Sequence, residues 1–115
     1  MTAIIRIVNN GGELSQAAID PARLLAGSPM ARTAHQFTNR AGNFHVGIWE
    51  SDAGKWTVNY TEDEFCYIIE GTAVLTDADG RAETLRAGDA FVVPAGFSGT
   101  WETVGQVKKI YAIYE

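Results

Sequence analysis

From residue 32 onward, glycine, aspartate, asparagine and proline cut the chain into short segments rich in β-branched and aromatic residues. They are RTAHQF (32–37), NFHVGIWES (43–51), KWTVNY (55–60), EFCYIIEG (64–71), TAVLTD (72–77), AETLRA (82–87), DAFVVPA (89–95), SGTWETV (98–104) and VKKIYAIY (107–114). Each has the length and the bounding residues of a strand. Many short strands at regular spacing predict an all-β fold, a sandwich or jelly-roll barrel. The twelve glycines support turns rather than long helices. Asp77-Ala78-Asp79-Gly80 reads as a hairpin, because its glycine supplies the positive φ of a tight turn.

The N-terminal third is less regular. AIIRIV (3–8) reads as a further strand. Asp20 followed by Pro21 predicts one short helix, with the aspartate as N-cap, the proline in the first turn and Gly27 as the stop. A length of 115 residues fits one domain, which divides on this reading into an N-terminal strand and helix leader, residues 1–42, and a barrel body, residues 43–115.

Charge and apolar patterning exclude several classes of function. The formal net charge is -5, and the lysines and arginines are scattered, so the positive face that nucleic acid requires is missing. No apolar run approaches the roughly 18 residues of a membrane span, and MTAIIRIVNNGG has no secretory-signal pattern. The expected location is the cytoplasm. The lone Cys66 makes no intrachain disulfide and reads as a small buried side chain.

Between Gly54 and Gly99 two spacings hold together. Glu64 precedes Gly71 at the end of one strand, and Gly88 is followed by Pro94-Ala95-Gly96. This pattern resembles the cupin superfamily of small jelly-roll barrels, whose motifs carry a histidine pair, a glutamate and a third histidine. GIWES (47–51), Gly54-Lys55-Trp56, EFCYIIEG, AGDAFVVPAGFSGTWE (87–102), VKKIYAI (107–113) and LLAGSPMART (24–33) are similar to the cupin domain group of (S)-ureidoglycine aminohydrolase. That likeness covers about four fifths of the chain.

The departures from the pattern carry more information than the matches. The histidine pair falls on Val58 and Tyr60 in one allowed register and on Thr57 and Asn59 in the other, and the third histidine falls on Gly99. Only Glu64 remains of the ligand set. One carboxylate beside a neutral tyrosine hydroxyl makes at most a weak metal site, so no resident metal or other cofactor is expected.

If Glu64 points inward as the resemblance implies, strand alternation puts Cys66 and Ile68 on the same face, with Phe65, Tyr67 and Ile69 opposite. A carboxylate among apolar groups costs several kcal/mol unless it is paired, hydrogen-bonded or protonated. Three groups are candidates to satisfy it: the Tyr60 hydroxyl, His45, and Lys109 with Tyr111. A lysine ammonium in place of the missing cation is the favoured reading. Lys108 and Lys109 must face opposite ways, so one of them is a candidate for the interior. Trp56, Val58, Trp49 and Trp101 complete the expected pocket wall, and each of the aromatics reads equally as core. His35 is read as a surface residue.

Three functions follow. The first is a metal-free module that binds a small polar or carboxylate-bearing metabolite in the barrel. The second is an enzyme acting on a small amide or ureido compound, an activity the resemblance implies, with Glu64 as general acid or base and Tyr60 or Lys109 stabilising developing charge. The third is a filled barrel that serves as an interaction protein. All three are compatible with a homodimer.

Overall fold

A computed structural model of the protein describes residues 2–115. Among the described residues there are eight strands and no helix: β1 (Leu14–Ala18), β2 (Leu24–Gly27), β3 (Met30–Thr38), β4 (Phe44–Asn59), β5 (Asp63–Asp77), β6 (Ala82–Arg86), β7 (Ala90–Val93) and β8 (Ser98–Tyr114). Every pairing is antiparallel, and the order is β1-β3-β4-β8-β5-β6, with β2 also on β4 and β7 also on β5. No helix of the described residues is long and apolar enough to cross a membrane.

The strands β4, β5 and β8 are long because each joins two segments that the sequence reads as separate strands. Their halves belong to two sheets of a jelly-roll barrel. One sheet runs β1-β3-β4-β8-β5-β7 and the other β2-β4-β8-β5-β6. Register shifts between Asp52 and Gly54 on β4, and around Gly71 on β5, mark the corner. Glycines inside strands signal bulges and close backbone approach as well as turns, and here they bend the strands without ending them. Gly71 has φ +86°, and a Cβ on it would overlap the carbonyl oxygen of Gln106 on β8.

Two N-terminal expectations are corrected. Residues 3–8 form no strand: Ile4 and Ile5 are exposed, and Val8 is held by the Gln36 side chain, which accepts from its N–H and donates to its carbonyl, both at 2.8 Å, and by a turn in which that carbonyl accepts from Gly11 N at 3.0 Å. Nor is there a helix after Asp20. Its Oδ1 accepts from Ala22 N (3.0 Å) and its carbonyl from Arg23 N (2.9 Å), which closes a turn, and Leu24–Gly27 then pairs with β4. An Asp-Pro start serves a turn as well as a helix, and a segment this short cannot offset the cost of helix nucleation when a strand edge is free to pair with it.

The core is built on Ile19, Trp56, Ile68, Ala73, Leu75, Val93, Trp101 and Val107. Its neutral polar groups are paired. The Ser51 and Thr103 hydroxyls meet at 2.6 Å, and Trp101 Nε1 donates to Thr103 Oγ1 at 2.9 Å. On the opposite face of the first sheet Phe65, Tyr67, Val92 and Tyr114 are exposed.

Candidate functional site

The inner faces of both sheets line a cavity of about 640 Å³. Strand register assembles it. Glu64 on β5 lies opposite Ile113 on β8, which lies opposite His45 on β4; Cys66 faces Tyr111, and Ile68 faces Lys109, which is next to Trp49. Alternation then projects Glu64, Cys66 and Ile68 inward while Phe65 and Tyr67 stay exposed.

Lys109 is the interior cation and is 5% exposed. From its place opposite Ile68 it leans along β5, so that Nζ donates to Glu64 Oε2 at 2.7 Å and to Cys66 Sγ at 3.5 Å. Nζ also stands 4.5 Å from the Trp101 ring centre and 4.9 Å from that of Trp49, over ring faces that attract a cation. Trp49 is edge-on to both Trp101 and Trp56, which braces this wall. The Cys66 thiol donates to the same Oε2 at 3.1 Å. Among the described residues, Glu64 Oε1 takes no hydrogen bond.

This arrangement sets the protonation states. Burial alone would draw the Lys109 ammonium down, but the negative charge of Cys66, Glu64 and Tyr60 at high pH and the Glu64 hydrogen bond reverse this, so its pKa is raised and it stays charged. Burial pushes the Cys66 thiol up to about 12, which makes it a hydrogen-bond donor and a poor nucleophile. Burial likewise pushes Tyr60 up to about 12.

The remaining candidates lie around the pair. Trp56, Val58 and Tyr60 project from β4 and the turn after it into the cavity, with Tyr60 edge-on to Phe97. Tyr111 lies across Gly47, where a Cβ would stand 2.6 Å from its hydroxyl, and so reaches His35 Nδ1 on β3 at 2.8 Å. His35 Nε2 meets Thr38 Oγ1 at 2.6 Å, and that hydroxyl meets His45 Nδ1 at 3.1 Å. His45 therefore serves this rim chain, with its Nε2 3.4 Å from Glu115 Oε1, and among the described residues makes no hydrogen bond or ion pair with Glu64.

The ligand positions of a cupin metal site can be tested directly. Val58 and Tyr60 face the cavity; Gly99 does not line it, and a Cβ there would overlap the Thr76 carbonyl oxygen. Among the described residues no three histidine, cysteine, aspartate or glutamate side chains converge. The Lys109 ammonium already takes Glu64 Oε2, so the donors present do not fit a transition metal.

The EutQ-like cupin domain family matches residues 38–111, most of the chain. The chain is a member of that family. Among solved structures, this EutQ-like cupin is similar to a DUF861-family protein of unknown function from Pseudomonas syringae pv. tomato, with 26% identity and a TM-score of 0.84 over 93% of the chain. The chain spans 46% of that protein, less than half its length. It is similar to the EutQ protein of Clostridium difficile, with 25% identity, TM-score 0.68, and 80% and 75% of the two chains covered. It is also similar to a DUF861-family protein from Thermotoga maritima, with 31% identity, TM-score 0.57, and 58% and 76% covered. No curated protein matches it.

Arg23, Thr33 and His35 also line the EutQ-like cupin's cavity, and sequence reasoning did not assign them there. His35 is exposed at the rim, yet its ring belongs to the cavity wall. The signal for it was alternation: Ala31, Thr33 and His35 sit two apart on β3 and face the same way. Arg23 was hidden by the helix expected at Asp20.

Proposed function

We propose that this EutQ-like cupin binds a small polar or carboxylate-bearing molecule inside the barrel and needs no resident metal to do so. One observation carries the reading: an ammonium stands between Glu64 and two tryptophan faces, where it neutralises the half-buried carboxylate and leaves the cavity open. The volume lies within the range of about 300–1,000 Å³ usual for small-ligand sites, and the walls combine apolar rings with a few polar groups. The narrower likeness to ureidoglycine aminohydrolase cupins would point to chemistry on amide or ureido compounds. Binding is the reading supported here: Glu64 Oε2 is committed to Lys109 and Cys66, which leaves Oε1 as an acceptor for a ligand.

Elemental analysis of the purified protein, followed by calorimetric titration with small carboxylates before and after chelation, tests the reading. Substoichiometric metal and unchanged binding after chelation are expected. A transition ion at one per chain, with binding lost on its removal, would overturn it. Glu64→Gln should weaken binding about tenfold or more if Glu64 is an anchor.

A further inference from the structure

The charges that line the cavity do not cancel. Lys109 is answered by Glu64, but Arg23 also lines it, so two permanent cations face one carboxylate. In a chain whose formal net charge is -5, the cavity carries an excess charge of about +1 before either histidine is protonated. Arg23 is fixed by its backbone: its N–H donates to the Asp20 carbonyl at 2.9 Å, and its own carbonyl accepts from Thr57 N on β4 at 3.0 Å. Among the described residues no carboxylate pairs with its guanidinium.

We propose that Arg23 and the free Oε1 of Glu64 together select the ligand: a small monocarboxylate that also carries an N–H donor. The assignment rests on the binding reading above and adds the class of ligand to it. A guanidinium offers a carboxylate two parallel donors, and a net charge of about +1 suits one negative charge better than two. Glu64 Oε1 can only accept, so it requires a donor on the ligand. The remaining cavity wall, with Trp56, Val58 and Ile113, offers apolar surface for the body of the ligand.

All three tryptophans of the chain line the cavity, so the intrinsic fluorescence of the intact protein reports occupancy directly. The probes are N-acetylglycine and 4-acetamidobutanoate, which have both groups at two spacings; N-acetylsarcosine, which lacks the N–H; N-acetylglycinamide, which lacks the carboxylate; and inorganic phosphate. One of the two acid amides is expected to bind about tenfold or more tightly than N-acetylsarcosine, N-acetylglycinamide and phosphate. Arg23→Gln should bring that acid down to the affinity of N-acetylglycinamide and leave the neutral amide unchanged, while Arg23→Lys restores part of the difference. Arg23 is exposed and its side chain makes no ion pair among the described residues, so both variants should melt with the wild type. If the probes bind but Arg23→Gln leaves the acid-to-amide ratio untouched, or phosphate matches the acids, the Arg23 assignment is wrong and the binding reading stands. If no probe alters the fluorescence of the wild type, both fail.

Discussion

Two clusters of paired charges lie on the two faces of one sheet, and adjacent residues of β8 serve them. Lys109 points inward to Glu64, with side-chain exposures of 6% and 12%. Lys108 points outward, 3.9 Å from Glu50, beside Arg32, which binds Glu50 at 2.7 Å and Asp52 at 3.1 Å. Asp52 is 39% exposed, so water and salt screen the outer cluster. The shortest contact is 2.7 Å in both clusters, yet the physics differs. Removing a member of the outer cluster leaves charges with more access to water, whereas removing a member of the inner pair leaves a charge that little solvent reaches.

Lys109→Met gives the largest expected effect, a loss of about 3 to 5 kcal/mol in urea denaturation, since Glu64 would remain largely enclosed without its cation. The double variant Glu64→Gln/Lys109→Met should recover most of that loss, because a neutral pair of similar volume needs no counter-charge. A cost below about 1 kcal/mol for the single variant would put the inner pair in the same class as the outer one and end the distinction. Gly99→His asks whether the interior can be turned back into a histidine metal site. Its Cβ would overlap the Thr76 carbonyl oxygen, so a loss of about 1 to 3 kcal/mol with no gain in zinc uptake, read by equilibrium dialysis, is expected.

pH separates the two faces more gently. Cys66 and Tyr60 are raised from their usual 9.0 and 10.0 to about 12, so the fold holds protons that the unfolded chain releases. Their contribution is complete below about pH 9 and is lost as pH climbs toward about 12. Lys109, raised above its usual 10.5, acts in the same direction. On the outer face, hydrogen bonds from Arg32 and then from Met30 N hold Asp52 below its usual 3.8, and its contribution is present above that value and lost as pH falls through the lower one. Thermal melting across pH should therefore show an alkaline decline that Lys109→Met alters and a shallower acid decline that Arg32→Ala alters. A swap of those assignments would invert the comparison. The smallest effect is Arg32→Ala at neutral pH, under about 1 kcal/mol and smaller still in 1 M salt.

The barrel body was largely legible because strand alternation and turn residues are local signals. Glu64, Cys66 and Ile68 could be put on one face by counting in twos, and that count also forced Lys108 and Lys109 apart. The length of the strands was not legible. Gly54, Gly71 and Gly105 look the same in sequence whether they end a strand or bend it, and only the partner strand decides. The N-terminal third misled for a related reason. LLAG after Asp-Pro has no intrinsic preference strong enough to declare itself, and the free edge of β4 made it a strand, which carried Arg23 to the cavity. Register across three strands, which joins His35 to Tyr111 over Gly47, is a non-local fact that a single sequence does not contain.

The single cysteine, fully enclosed beside the inner pair, gives the molecule a clock. With its proton held so firmly, Cys66 can react with an alkylating agent at neutral pH only during moments when β5 and β8 part. The rate at which thiol disappears therefore counts excursions of the closed barrel, and whatever occupies the space beside it should make them rarer.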